Sequence, residues 1–292
     1  MSWIRDNFGT DILLATWFMA IGALLYVVVN IYYLNYSIQY ADDDFSSTDN
    51  YLLLASSIIF FFATVYFIKS SYPEEMRKFM NDISNVDIKT LTFTQRYFTG
   101  NSWLIATWLF LVATLTYFVY PIWAYTNGYI GVAYFVLYML CVLIVISFIF
   151  LWVVAVFPES LVLNNGQGSS YFYDNILNNN IICCCGDSKF WRLHCGSDFL
   201  VGAWVFAVIS VISVPFAIIY TCEYPTYWIS YVTLLCIIFL AIGSVLFVCA
   251  SYPGNFNSVY YYKILFCDPN YVPSDLVGTA NERSSILGNS EL

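Results

Sequence analysis

The side chains that could act as nucleophiles or metal ligands in this 292-residue chain are few and poorly spaced for either task. The only histidine, His194, stands directly beside Cys195, and neighbours in sequence rarely work as a nucleophile and its base. Zinc proteases and histidine-rich membrane oxygenases need several histidines at helical spacing, which this sequence lacks. We therefore expect a protein that is not an enzyme, with no catalytic residue, no metal site and no cofactor.

Three contiguous cysteines, Cys183, Cys184 and Cys185, are a second candidate for chemistry. They suit tetrahedral zinc poorly, because pairs of zinc ligands usually stand about two to four residues apart. A cytosolic cysteine cluster shortly before a membrane span is instead typical of S-palmitoylation. An unmodified loop is the alternative, and the sequence leaves both open.

The C-terminal tail contains a short pattern that resembles the acidic dileucine sorting signal. Glu282 stands four residues before the aliphatic pair Ile286 and Leu287, with isoleucine where the usual pattern has leucine. Such a signal is an address read by a receptor and not an anchor. The resemblance implies clathrin-adaptor complexes as partners. It also implies endosomes, lysosomes or a related vacuole as the location, with the plasma membrane as the alternative.

The elements that must position these residues are membrane helices. The chain is 60% hydrophobic and only 10% charged, whereas soluble domains have about 25% charged residues. Six apolar stretches reach or exceed the ~20 residues that a spanning helix needs. We therefore predict an all-α integral membrane protein with six transmembrane helices and membrane lipid as a partner. The predicted spans cover about 12–35, 50–70, 102–125, 128–157, 199–222 and 226–252.

One pattern occurs three times along the chain. A glycine lies eight residues before each of Trp17, Trp108 and Trp204, and each unit then holds two apolar stretches and ends on an aromatic-proline pair. This repetition predicts three tandem two-helix repeats. The tryptophans are predicted to pack between helices, beside small residues that let backbones approach closely. The predicted segments are repeat 1 over 1–73, a cytosolic linker over 74–95, repeat 2 over 96–158, a linker with the cysteine cluster over 159–191, repeat 3 over 192–253 and a cytosolic tail over 254–292.

The basic residues set the predicted orientation. With six spans, all ten lysines and arginines fall on one side, so the positive-inside rule places both termini and the two long connections in the cytosol. No basic patch exists beyond these residues, and we expect no nucleic-acid binding. On the opposite side, Asn35 begins the sequon Asn-Tyr-Ser and is a candidate N-glycosylation site close to the membrane.

An arginine precedes each repeated tryptophan by twelve residues, at Arg5, Arg96 and Arg192. The simpler interpretation is a residue just cytosolic of a span that fixes orientation and contacts lipid phosphate. The alternative is that three equivalent helices surround a pseudo-threefold axis. The arginines would then ring one cytosolic mouth and meet an anionic solute or headgroup.

The sequence limits function less firmly than it limits architecture. No Asp, Glu, Lys, Arg or His lies inside the predicted spans apart from Lys69 at the end of the second span, which argues against a pump or a proton-coupled transporter. We expect a non-enzymatic membrane-organising or accessory protein of the endolysosomal or vacuolar system. The alternative is a small-solute or lipid transporter or channel with its path along the pseudo-threefold axis, as internal repetition favours. Polar side chains around one axis would favour transport, and a fully packed axis would favour the organising role.

Overall fold

A computed structural model of the chain describes residues 7–40, 46–72, 75, 91–128, 131–158, 194, 196–252 and 260. Within these ranges every regular element is helical, and six helices are long and apolar enough to cross a membrane. The prediction of an all-helical chain with six spanning helices is therefore confirmed. The helices are α1 Asp11–Tyr40, α2 Ser46–Ser71, α3 Ser102–Thr126, α4 Val132–Ala155, α5 Asp198–Glu223 and α6 Trp228–Ser251, and a π-helical turn Gln95–Thr99 precedes α3.

Each odd-numbered helix begins two residues after a repeated glycine, and at α1 and α3 the intervening residue caps the helix with its side chain, whereas Ser197 before α5 makes no side-chain cap bond. The Asn101 side chain accepts a hydrogen bond of 2.7 Å from the backbone N–H of Leu104 at the start of α3. Thr10 accepts one of 3.3 Å from the N–H of Leu13 at the start of α1. Each bond satisfies a backbone donor that the first turn of a helix leaves without a partner.

The fourth span starts later than predicted. The predicted span begins at about residue 128, whereas α4 begins at Val132, after Gly131 as its N-cap. The reason is a tight turn after α3, in which Gly128 has a φ of 77°. That left-handed conformation favours glycine and cannot continue a right-handed helix.

The six helices form a closed ring in chain order. Each helix packs against its neighbours in sequence, and α6 packs extensively against α1. The odd-numbered helices begin, and the even-numbered helices end, at the same end of the ring, which we call the terminal end. The opposite end carries the short connections and is called the short-loop end. Side chains from non-adjacent helices that touch one another must therefore lie inside the ring.

Small residues bring the helix backbones close together. A β-carbon on Gly243 of α6 would stand only 2.8 Å from the backbone nitrogen of Met19 in α1, so these two helices touch through their backbones. Helices in lipid associate by such close packing, since lipid supplies little hydrophobic drive between them. All six small residues predicted beside the tryptophans are buried, namely Ala15, Thr16, Ala106, Thr107, Gly202 and Ala203.

The ring is not uniform around its circumference. Its seams are closest between α1 and α6 and between α2 and α3, whereas α4 and α5 have the least extensive contact. Helix α4 is also the least buried of the six spans. Large apolar side chains such as Leu137 of α4 and Phe216 of α5 are exposed on the outer surface, as expected of a protein whose surroundings are lipid.

Candidate functional site

Five aromatic side chains, one from each of α2 to α6, meet inside the ring near its terminal end, and Ile12 of α1 is buried in the same hydrophobic cluster. The Phe67 ring of α2, for example, stacks on the Trp152 indole of α4 with centroids 5.3 Å apart. All six take part in one hydrophobic cluster. We call this set the axial cluster: Ile12, Phe67, Trp103, Trp152, Phe199 and Phe247.

Contacts between non-adjacent helices show that the axial cluster fills the ring. Trp103 of α3 lies 6.0 Å from Phe247 of α6, on the opposite side of the ring. Trp103 also lies 5.6 Å from Phe199 of α5. Such aromatic pairs each contribute about 0.5–1.5 kcal/mol beyond the area they bury. The terminal half of the axis is therefore occupied by side chains.

A second aromatic set continues this packing towards the middle of the ring. Phe110 of α3 lies 5.3 Å from Phe60 of α2 and 5.2 Å from Phe206 of α5, measured between ring centroids. Phe110 also meets Trp152 edge-on at 5.9 Å. The two aromatic sets are thus joined into a single core.

The indole N–H of Trp152 has no hydrogen-bond partner among the described residues, although the side chain is fully buried. Phe110, Phe199 and Phe247 approach the indole in T-shaped contacts, and contacts between an N–H and an aromatic face are weak. An unpaired buried donor costs about 1–3 kcal/mol. The tryptophan therefore fills volume here, and its polar atom opposes burial.

The axial cluster was not predicted, although the sequence contains a signal for it. Phe67, Trp152 and Phe247 each lie five residues before the aromatic residue of an aromatic-proline pair. The other three members, Ile12, Trp103 and Phe199, each lie five residues before a repeated tryptophan. The signal is hard to see because the residue type changes from repeat to repeat while the position stays the same.

Hydroxyl groups replace aromatic packing towards the short-loop end. The Tyr138 hydroxyl of α4 donates a hydrogen bond of 2.7 Å to the Tyr117 hydroxyl of α3. The hydroxyls of Tyr33 in α1 and Tyr220 in α5 share a second hydrogen bond. Helices α1 and α5 are not neighbours in the ring, so this second hydrogen bond joins two non-adjacent helices near the short-loop end. We call these four tyrosines the hydroxyl layer.

The three repeated tryptophans lie near the terminal end and differ in burial. Trp108 is partly buried, and its indole donates a 2.7 Å hydrogen bond to the carbonyl of Tyr97 in the π-helical turn. Trp204 is exposed and donates a 3.3 Å hydrogen bond to the hydroxyl of Tyr252. Trp17 is partly buried against Phe8, and its buried indole N–H has no partner among the described residues. The indoles of Trp108 and Trp204 thus fasten the chain segments at this end.

Ten positions before each repeated tryptophan lies a residue that, in two of the three units, is hydrogen-bonded to the tyrosine of that unit's aromatic-proline pair. Asn7 Oδ1 accepts a hydrogen bond of 2.8 Å from the hydroxyl of Tyr72. His194 Nδ1 is hydrogen-bonded to the hydroxyl of Tyr252. The middle unit has Phe98 and Phe157 at these two positions, so the polar pair is replaced by two apolar residues. His194 therefore has a structural partner, while Cys195 lies outside the described residues.

Among the three arginines, Arg96 lies in the π-helical turn with its guanidinium 6.0 Å from the centre of the Tyr97 ring. Arg5 and Arg192 fall outside the described residues, so the proposed ring of arginines stays a prediction. The same holds for the other sites that the sequence places on the cytosolic side, which are Cys183, Cys184, Cys185, Glu282, Ile286 and Leu287.

The candidate glycosylation site, Asn35, is exposed on the last turns of α1, where its Oδ1 accepts a 3.4 Å hydrogen bond from Gln39. In the ranges that the structure describes, no three His, Cys, Asp or Glu side chains come together as metal ligands would. Neither the axial cluster nor the hydroxyl layer contains an ionisable acid or base apart from the tyrosine hydroxyls. The candidate site is therefore the axis itself, with aromatic packing at one end and hydroxyls at the other.

Six long apolar helices packed in a ring define this chain as a multi-pass helical membrane protein. Comparison with models of known families, with curated proteins and with solved structures found no match. The function of the chain must therefore be inferred from the physical arrangement of its axis and of its helix seams.

Proposed function

We propose that the ring is built from three tandem helical hairpins with both termini in the cytosol. Two hydrogen bonds support the repeat. Ser56 donates one of 2.9 Å to the carbonyl of Ala113, and Cys236 donates one of 3.2 Å to the carbonyl of Gly22. Both donors lie sixteen residues before the aromatic of an aromatic-proline pair, and both acceptors lie five residues after a repeated tryptophan. Equivalent positions thus make equivalent contacts at two seams.

Our proposed function is that of a non-enzymatic membrane-organising or accessory protein. The observation that carries this proposal is the axial cluster, in which one side chain from every helix closes the ring. A ring closed in this way is a compact, laterally packed unit and not an open pore. The hydroxyl layer fits the same role, because hydrogen bonds between helices hold membrane bundles together.

The proposed location is the endosome, lysosome or a related vacuole, with clathrin-adaptor complexes as partners. This part of the proposal is supported by the tail pattern of Glu282, Ile286 and Leu287. We would compare the location of the tagged full chain with that of an Ile286→Ala/Leu287→Ala variant. A Ser284→Ala/Ser285→Ala variant is the matched control, since it changes two residues of the same pattern and keeps its acidic and aliphatic members. Loss of the acidic compartment only in the aliphatic variant is expected; identical locations for all three would reject the address.

A transporter or channel for a small solute or lipid is the second candidate. The observation in its favour is the hydroxyl layer, whose Tyr33–Tyr220 pair joins two non-adjacent helices. Pores and carriers without intramembrane charge can use hydroxyls and backbone carbonyls to replace water around a solute. In this interpretation the axial cluster is a closed gate at the terminal end.

Reconstitution of the full chain into phosphatidylcholine vesicles separates the two candidates. We would follow release of entrapped potassium ions and a small dye, together with transbilayer movement of a fluorescent phosphatidylcholine. The organising role predicts rates equal to those of protein-free vesicles. Rates well above that background in unmodified protein would overturn the organising role and favour transport.

A further inference from the structure

The side chains that face the interior of the ring can be followed along each helix from the axial cluster. Seven residues make almost two full turns of an α-helix, so positions seven or fourteen apart share a face. The second aromatic set, at Phe60, Phe110 and Phe206, lies seven residues from members of the axial cluster and packs inside the ring, which supports this register. Fourteen residues from the axial cluster, α2 has Leu53 and the other five helices carry a hydroxyl group, at Tyr26, Tyr117, Tyr138, Ser213 and Thr233.

Contacts across the ring show that the three tyrosines of this level face its interior. Tyr26 of α1 is close enough to Tyr117 of α3 and to Tyr138 of α4 to interact with both electrostatically, although α1 is a neighbour of neither helix in the ring. Tyr138 also donates its 2.7 Å hydrogen bond to Tyr117. One turn after Tyr26, the amide of Asn30 donates a 2.9 Å hydrogen bond to the Tyr26 carbonyl and is only 4% exposed. Polar groups of three helices therefore converge inside the ring.

Burial shows that the ring is less completely filled at this level than at the axial cluster. Phe67, Trp152 and Phe247 of the axial cluster are completely buried, whereas all five hydroxyl-bearing residues of this level are only partly buried. Because these side chains share the interior face, their accessible surface borders space inside the ring. Tyr138 lies six residues after the start of α4 at Val132, about 9 Å from the short-loop end at 1.5 Å per residue. The aromatic core closes the other side of this space.

We propose that this space is a pocket that binds a small uncharged polyhydroxy solute, of the class of glycerol and the sugars, from the short-loop end. The pocket goes beyond the membrane-organising role, and it requires no passage of the solute across the membrane, because the axial cluster closes the ring behind it. We call it the polar pocket, lined by Tyr26, Asn30, Tyr117, Tyr138, Ser213 and Thr233.

The chemistry of the lining selects this class of solute. Hydroxyl and amide groups both donate and accept hydrogen bonds, so they match a solute whose own groups do both. Ser213 and Thr233 donate to carbonyls of their own helices at 2.8 Å and 2.9 Å, which leaves their oxygens able to accept from a solute. Tyr117 accepts from Tyr138 and can donate its own proton. No Asp, Glu, Lys, Arg or His belongs to the lining, so an ion would lose its hydration without a compensating charge.

A quaternary ammonium ion is the alternative occupant, because tyrosine rings can hold such a cation against their faces. The geometry favours the polyol. The hydrogen bond between Tyr117 and Tyr138 joins the polar tips of the two side chains, so hydroxyl groups and not ring faces converge at this level.

Modification of an introduced cysteine tests the pocket in the full chain, reconstituted into phosphatidylcholine nanodiscs that leave both ends accessible. Ser213→Cys places a thiol in the polar pocket, and Ile212→Cys places one on the outer, lipid-facing surface, where Ile212 is 57% exposed. A membrane-impermeant methanethiosulfonate reacts with the thiolate, which forms in water and not in lipid. After subtraction of the reaction of the unmodified chain, we expect Ser213→Cys to react about tenfold faster than Ile212→Cys. Glycerol or glucose should slow the reaction of Ser213→Cys several-fold, whereas tetramethylammonium at the same concentration should not.

A second substitution tests the hydroxyl groups themselves. When Tyr117→Phe is added to Ser213→Cys, the polyol concentration needed for half protection should rise about fivefold, the effect of losing one hydrogen bond. Tyr231→Phe is the matched control, because Tyr231 is 49% exposed on the outer face of α6, and it should leave that concentration unchanged.

Three results would overturn the proposal. Equal reaction of Ser213→Cys and Ile212→Cys would show that no pocket opens to water. Protection by tetramethylammonium and by neither polyol would assign the pocket to a cation, and protection by none of the three probes would leave it without the proposed ligand. Each of these results leaves the organising role standing, whereas flux through vesicles would overturn that role whether or not the pocket binds a polyol.

Discussion

Replacement of Trp152 by alanine should weaken the ring more than almost any other single change. Trp152 is fully buried at the centre of the axial cluster, where it stacks on Phe67 at 5.3 Å and meets Phe247 at 5.7 Å. Its removal breaks contacts with helices on both sides of the ring. The neighbouring side chains cannot fill the gap without moving their backbones.

The loss of unfolding free energy caused by Trp152→Ala has fewer contributions than it would have in a soluble protein. Unfolded membrane helices remain in lipid, so the transfer of an apolar side chain from water does not enter the balance. The cost of the cavity still applies. A cavity of roughly 100 Å³, at about 24 cal/mol per Å³, costs about 2.4 kcal/mol. Loss of the stacked partners adds to this cost, whereas loss of the unpaired indole N–H reduces it.

Trp152→Phe separates these contributions. Phenylalanine keeps an aromatic ring between Phe67 and Phe247 and removes the indole N–H, which has no hydrogen-bond partner among the described residues. The smaller ring loses some packing, but relief of the unpaired donor offsets part of that loss. We expect a net change in unfolding free energy within about 1 kcal/mol.

Unfolding of the detergent-solubilised chain by sodium dodecyl sulfate, followed by circular dichroism, measures both changes. Phe150→Ala is the control, because Phe150 lies on the same helix with half its surface exposed to lipid. Its substitution should change the unfolding free energy by less than about 0.5 kcal/mol. If Trp152→Ala were no more destabilising than Phe150→Ala, the axial cluster could not be the core of the ring.

Three further substitutions test other contacts by the same unfolding assay. Gly243→Ser should destabilise by about 1–3 kcal/mol, because its β-carbon would overlap the α1 backbone, whereas Gly131→Ser meets open space at the N-cap of α4 and should stabilise by only about 0.3 kcal/mol. Asn101→Ala should cost about 1–2 kcal/mol through loss of the α3 cap and of the hydrogen bond that Asn101 donates to the Val156 carbonyl, and a change near zero would mean that water replaces the side chain. Tyr138→Phe removes the hydroxyl pair with Tyr117 and should cost about 0.6 kcal/mol; no cost at all would show that the pair does not join α3 to α4.

The spans themselves were predictable because the bilayer imposes one requirement on every backbone. Each N–H and C=O in hydrocarbon needs a partner within its own segment, so a long apolar run must be a helix. The starts of α1, α3 and α5, at Asp11, Ser102 and Asp198, lie within one residue of the starts that the apolar stretches predict. The start of α4 was placed too early, since hydropathy does not register that Gly128 takes a left-handed conformation and separates α3 from α4.

The arrangement of the helices could not be predicted in the same way. In a soluble helix the polar face points to water, and the apolar stripe therefore identifies the core. Here both the lipid-facing and the interior sides are apolar, so Phe150 and Trp152 look alike in sequence although one faces lipid and the other fills the axis. The same ambiguity hid the difference between exposed Trp204 and partly buried Trp108.

By itself the sequence determined the class of the protein, the number of spans and their approximate ends, because these depend on composition and length. The tertiary structure alone decided which side chains close the axis, which tyrosines meet across the ring and which neighbouring helices pack most extensively. Those outcomes depend on whether the volumes of side chains on different helices fit together. Gly243 fits closely against α1, whereas α4 and α5 have the least extensive contact of any neighbouring pair, a difference that hydropathy does not record.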